Sequence, residues 1–236
     1  VGETERSNAF GTSNLARRTD SGWTSFSVLT PTEPSVPMDG SMAPAWPTPS
    51  SDMTRIMFVA ARSLGPPNPI EAGGSIYLNA PQGKGSPTWL SRWNFPGTQP
   101  APPVFNAIPL GGNHNLSSGY FRYATPLTSL AGDDLRTNKY GLYFFEGSSI
   151  APAGVLPSGS VSPQGALPAG SAGESSTGGV TSNLPEQARN QVSADGSKLF
   201  FVSPAEGSPK QLYVQENGAP GRLISHDTLG DAAPTG

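Results

Sequence analysis

Two histidines, His114 and His226, and a complete lack of cysteine restrict the acid–base and nucleophilic chemistry open to this chain of 236 residues. His226 and Asp227 could join one of the many serines in a Ser-His-Asp site, but such a site is defined by geometry and not by composition. Both histidines read as solvated loop residues. Asp133, Asp134 and Asn138 offer the hard oxygen ligands that Ca²⁺ takes, yet their spacing matches no known loop motif and reads as a polar turn. Trp46, Trp89 and Trp93, with Phe95 after them, could form an exposed platform for a sugar or a protein partner; the same indoles could equally fill the space between packed sheets. Asn115-Leu116-Ser117 matches a glycosylation acceptor. These residues give no catalytic assignment, no cofactor and no metal site.

The carboxylates that recur belong to a phrase. Ser193-Ala194-Asp195-Gly196-Ser197-Lys198-Leu199-Phe200-Phe201 is echoed by Ser50-Ser51-Asp52-Met53-Thr54-Arg55-Ile56-Met57-Phe58 and, more loosely, by His114-Asn115-Leu116-Ser117-Ser118-Gly119-Tyr120-Phe121. In each copy an Asp or Asn stands six residues before a Phe. Asx side chains bond the backbone two residues on, so Asp52 and Asp195 read as turn-formers. The aromatic and β-branched run that follows each turn reads as a strand: 56–61, 119–123 and 199–203. A second strand carrying a Tyr comes next, at 75–78, 141–145 and 211–214. A third is expected at 88–91, 153–156 and 222–225, preceded in the last copy by the hairpin signal Asn217-Gly218. Asn14–Arg17 and Gly22–Leu29 fit the same scheme entered halfway.

Repetition at this period sets the architecture. The chain reads as all-β, a β-propeller or partial propeller of antiparallel blades with long Gly/Pro/Ser-rich loops. Its divisions are a half blade over 1–36, blades over 37–95, 104–158 and 186–225, a low-complexity loop over 159–185 and a tail over 226–236. Gly and Pro together make up 55 of the 236 residues, 29 and 26 respectively, which suits turns and disfavours helices. Pro31–Pro49 and Pro96–Pro109 read as connectors, and the stretch from Gly147 to Pro185 as a loop or strap. Leu184–Gln191 is the best helix candidate. A net charge of −3 with only 14 Lys and Arg argues against a nucleic-acid surface, and no apolar run is long enough to span a membrane.

On these residues the chain resembles the PD40/TolB-like β-propeller repeats, whose blades open with a Ser-Pro-Asp-Gly turn running into an aromatic strand. Ser193-Ala194-Asp195-Gly196 through Ser203, with Gln211-Leu212-Tyr213-Val214 after it, carries the likeness best. The chain is also similar to exported actinobacterial proteins built from such repeats. The resemblance implies a non-catalytic, extracellular or cell-envelope module for binding or structural assembly. Its partners would be a protein, a carbohydrate or a second copy met through exposed sheet edges. Three and a half repeats are few for a closed ring of four to eight blades, so a piece of a longer chain, or an open arc, is expected. The alternatives are a propeller-type glycan-active hydrolase, which needs converging carboxylates roughly 5 to 10 Å apart, and a subunit of an extracellular filament.

Overall fold

A computed structural model describes residues 14–27, 45–60, 75–79, 86–92, 107–123, 126–129, 141–162, 165–169, 191–204 and 210–225. Trp93, Phe95, Asp133, Asp134, Asn138, His226 and most of the helix candidate lie outside them. Among the described residues the chain is all-β, without a helix.

The described residues form fourteen strands, arranged as one hairpin and three four-stranded sheets. The hairpin pairs β1 (Asn14–Thr19) with β2 (Gly22–Ser27). The first sheet takes β3 (Ala45–Pro49), β4 (Ile56–Ala60), β5 (Ser75–Leu78) and β6 (Thr88–Trp89). The second takes β7 (Ala107–Gly112), β8 (Ser118–Tyr123), β9 (Gly141–Glu146) and β10 (Ser149–Ala153). The third takes β11 (Leu167–Pro168), β12 (Lys198–Pro204), β13 (Lys210–Glu216) and β14 (Arg222–Leu223). Each is an antiparallel meander whose spatial order follows the chain.

The expected Phe and Tyr strands form the middle of every sheet, and their register repeats. Phe58 faces Tyr77, Phe121 faces Tyr143, and Phe201 faces Tyr213. The ring pairs are stacked, with centroids 6.0, 5.4 and 5.2 Å apart. Offset aromatic pairs of this kind add about 0.5–1.5 kcal/mol beyond the area they bury. Phe58, Phe121 and Phe201 are all fully buried.

Two features depart from the sequence reading. The first strand of each sheet comes from segments that read as Pro-rich connector or low-complexity loop: β3 with Pro49, β7 with Pro109 and β11 with Pro168. Each is an edge strand, where a residue without an N–H costs no ladder bond. The outer strand of the second sheet is Ser149–Ala153, not 153–156, because the two-residue loop Gly147-Ser148 starts the return early. Gly147 takes φ +58° there.

The sheets stack in chain order. One core cluster joins Met57, Val59, Ile76, Leu78 and Leu90 of the first sheet to Phe121, Tyr143 and Phe145 of the second. A second cluster joins Tyr120, Leu142 and Ala153 of the second sheet to Leu199, Phe201 and Tyr213 of the third. In both junctions the Phe–Tyr face of the later sheet covers the opposite face of the earlier one.

Candidate functional site

The repeated turn is the most constructed local feature of the molecule. Its six positions are 50–55, 113–118 and 193–198. At each, the first residue's N–H donates to the sixth residue's carbonyl: Ser50 to Arg55 at 2.9 Å, Asn113 to Ser118 at 3.0 Å, Ser193 to Lys198 at 2.9 Å. The fourth residue's N–H donates back to the first carbonyl in all three. The third residue supplies an Asx oxygen that accepts the fifth residue's N–H, at 3.0 Å from Thr54 to Asp52, from Ser117 to Asn115 and from Ser197 to Asp195. This is the Asx-turn bond expected of such residues.

The fourth position is left-handed in every copy, with φ +56° at Met53, +51° at Leu116 and +73° at Gly196. Met53 and Leu116 thus adopt a conformation that glycine takes without cost and a long side chain takes at about 1–2 kcal/mol. Leu116 turns its side chain into the core, where it is buried.

The three turns also meet each other. Asp52 N–H donates to the His114 carbonyl at 3.2 Å. A Cβ built on Gly196 would lie 2.1 Å from the Asn113 nitrogen and 2.3 Å from the Gly112 carbonyl carbon. The Tyr120 hydroxyl donates to the Ser197 carbonyl at 3.2 Å. The turn of the second sheet therefore sits between those of the first and third. Burial pushes the Tyr120 phenol up to about 12, against hydrogen bonds with the Gly218 and Asn217 backbone that act the other way.

This packing decides what the carboxylates can do. At Asp52, partial burial raises the pKa, but hydroxyls of Ser50 and Thr54, the Thr54 N–H and the nearby His114 together hold it below its ordinary value. Asp195 is held at about 2 by the Ser193 hydroxyl, the Ser197 N–H and the Ser197 hydroxyl. Asp52 accepts through Oδ1, and Asp195 through both oxygens, within their own turns. Ser50, Asp52 and His114 do come together, but Ser50 gives its hydroxyl proton to Asp52 at 2.6 Å. Ser50 is buried, and the imidazole does not stand between serine and carboxylate as general-base activation requires. That grouping spans two sheets, and only the stacking of repeats could have found it.

The chain matches no protein-family model and no curated protein. Its chemistry is therefore read from its own geometry.

Trp46 and Trp89 are carried by β3 and β6, the two edge strands of the first sheet, with β4 and β5 between them. Trp89 is half-buried. Its Nε1 donates to Ser91 Oγ at 3.0 Å, and that oxygen also accepts the Ile76 N–H at 3.0 Å. Ser225 repeats the device in the third sheet, where its Oγ accepts the Leu212 N–H at 2.9 Å. The indole is thus tied into a strand closure. In the glycosylation triplet, Asn115 Oδ1 accepts the Ser117 N–H and Ser117 Oγ accepts from Asn113 Nδ2, while Asn115 itself is exposed. Among the described residues no group of three His, Cys, Asp or Glu is placed to hold a metal ion, and no helix is long and apolar enough to cross a membrane.

One concavity among the described residues lies on the third sheet. A shallow groove of about 420 Å³ is lined by Phe200, Val214, Ile224 and Pro220, with Lys198 and Arg222 at its margin. Lys198 meets Glu216 across the strands at 3.7 Å, an exposed pair of small energetic weight.

Proposed function

We propose that the chain is a non-catalytic module of β-propeller type, of the PD40/TolB-like kind, exported to the cell envelope or beyond it, and that it serves binding or structural assembly. The observation that carries this reading is the series of four-stranded meanders stacked face on face, with one turn repeated at each junction. Propeller blades are sheets of this size and order. Because Asp52 and Asp195 are engaged by their own turns, they support packing and not proton transfer. A glycan-active hydrolase needs a free carboxylate pair, one member kept protonated near neutral pH. The lowered pKa values of Asp52 and Asp195 are the reverse of that need.

The test is to incubate the protein with a panel of polysaccharides and chromogenic glycosides and to follow product release. No turnover is expected from the native chain or from the D52N and D195N variants. Turnover abolished by either substitution, with circular dichroism unchanged, refutes the reading and restores the hydrolase.

A further inference from the structure

The stacking rule leaves one face of the third sheet uncovered. In the first sheet, five positions face the second sheet: Met57, Val59, Ile76, Leu78 and Leu90. All are buried. In the second sheet the same positions are Tyr120, Arg122, Leu142, Phe144 and Ala153, of which all but Phe144 are buried. In the third they are Phe200, Val202, Leu212, Val214 and Ile224, and every one is only half-buried. The register that fixes this equivalence is the Phe–Tyr pair of each sheet. The groove described above lies on this face.

The chain also carries a surface of the opposite kind. Trp23 is 73% exposed, the largest exposure of any bulky apolar residue described; the next is Leu223 at 37%. Trp23 pairs with Arg18 across the β1–β2 hairpin, one step from the loop Asp20-Ser21, and Ala16 pairs with Ser25 on the same face. The second sheet has the same two-residue loop between β9 and β10. Aligning the loops puts Trp23 at the position of Ile150 and Arg18 at that of Phe145. Phe145 and Ile150 are among the residues with which the second sheet packs onto the open face of the sheet before it. Trp23 is therefore on the side of its hairpin that, by the rule of the other junctions, covers the face of a preceding sheet.

From this we infer that the hairpin of one chain docks on the third sheet of a second copy, with Trp23 seated against Phe200, Val214 and Ile224. The contact continues a junction that the fold already makes twice. Both surfaces carry charges of both signs, Arg18 and Asp20 on the hairpin and Arg222 with the Lys198–Glu216 pair around the groove. The interface is head-to-tail, so each copy has one donor and one acceptor surface, and it propagates to a ring or a filament according to its angle. Trp23 stands in solvent in the single chain, which is why the partner is a second copy and not the chain's own sheet. The inference rests on the stacked-sheet reading above.

Sedimentation velocity over a wide concentration range tests it. The native chain is expected to associate as concentration rises, with a blue shift of Trp emission. W23A and V214E are each expected to weaken association by about tenfold or more. A mixture of the two variants is expected to form a heterodimer, since W23A keeps the acceptor and V214E keeps the donor. Because Trp23 is exposed, W23A remains informative if V214E fails to fold. A native chain that stays monomeric, or a blue shift independent of concentration that marks docking within one chain, overturns the inference. Association unaffected by W23A overturns it as well. In all these outcomes near-ultraviolet circular dichroism reports separately on the stacked aromatic core: an intact signal leaves the scaffold standing, and its absence in the native chain removes the scaffold itself.

Discussion

Gly196 offers the sharpest test of the junction between the second and third sheets. The same turn position accepts Met53 and Leu116, so a positive φ alone does not require glycine there. Close approach does. A methyl at Gly196 would sit 2.1 Å from the Asn113 nitrogen, well inside the ordinary contact distance of roughly 3.5 Å between non-bonded atoms. The two turns would have to separate by more than an ångström, and both are backbone held by their own hydrogen bonds. The left-handed conformation contributes about 1 kcal/mol and the overpacking about 1–3 kcal/mol. The total for Gly196→Ala is then about 2–4 kcal/mol, which for a chain of this size lowers Tm by roughly 4–16 °C. Gly147→Ala is the control. It has a similar φ, +58°, but nothing lies within 4 Å of the added carbon, so only the conformational part, about 1 kcal/mol, applies. Thermal unfolding followed by circular dichroism compares the two. Equal losses in Tm would refute the close approach of neighbouring turns, and with it the stacking from which the open face was deduced.

Two further outcomes follow from the turns and the core. Asp195 is depressed to about 2 in the folded chain from an ordinary value of 3.8. Its contribution to stability is therefore whole above the ordinary value and lost as pH falls from there toward about 2. Denaturant midpoints at neutral pH and near pH 2.5 should differ less in D195N than in the native chain, and an identical pH dependence would show that the carboxylate is not held by its turn. Phe121→Ala empties a fully buried site at the centre of the second sheet, beside Tyr143 and Phe145. It is expected to cost about 3–5 kcal/mol, read as a shift of the urea midpoint; a loss below about 1 kcal/mol would mean that the site is not packed as described.

The middle two strands of each sheet were legible because their residues report on themselves. A Phe and a Tyr buried in register need aromatic and branched neighbours on both faces, and Ile56–Val59 or Leu199–Phe201 display that need without any alignment. The first strands were hidden by proline. Pro109 read as connector and Pro168 as low-complexity loop, and both are tolerated because an edge strand leaves one row of N–H groups unused. Met53 and Asn115 broke the turn motif in sequence yet kept its geometry, since Asn accepts the same backbone bond as Asp and a long side chain can bear a left-handed φ. The meeting of Asp52 with His114 could not be read locally, because it joins residues of two sheets. The sequence did not display that a four-stranded meander carries the strands of Trp46 and Trp89 at opposite edges; Trp93 lies outside the described residues.

The keyed turns all lie where the first strand of a sheet passes into the second. The connection from the second strand to the third, at the other end of each sheet, runs over 61–74, 124–140 and 205–209, three quite different lengths. The keyed turns and these far connections thus obey different rules. At one, an added methyl group meets the backbone of the neighbouring sheet. At the other, a dozen residues can come or go while the Phe–Tyr register is kept. Changes of length between the second and third strands therefore leave both the Phe–Tyr register and the keyed turns in place, and the connection at 205–209 is the place to graft a foreign peptide.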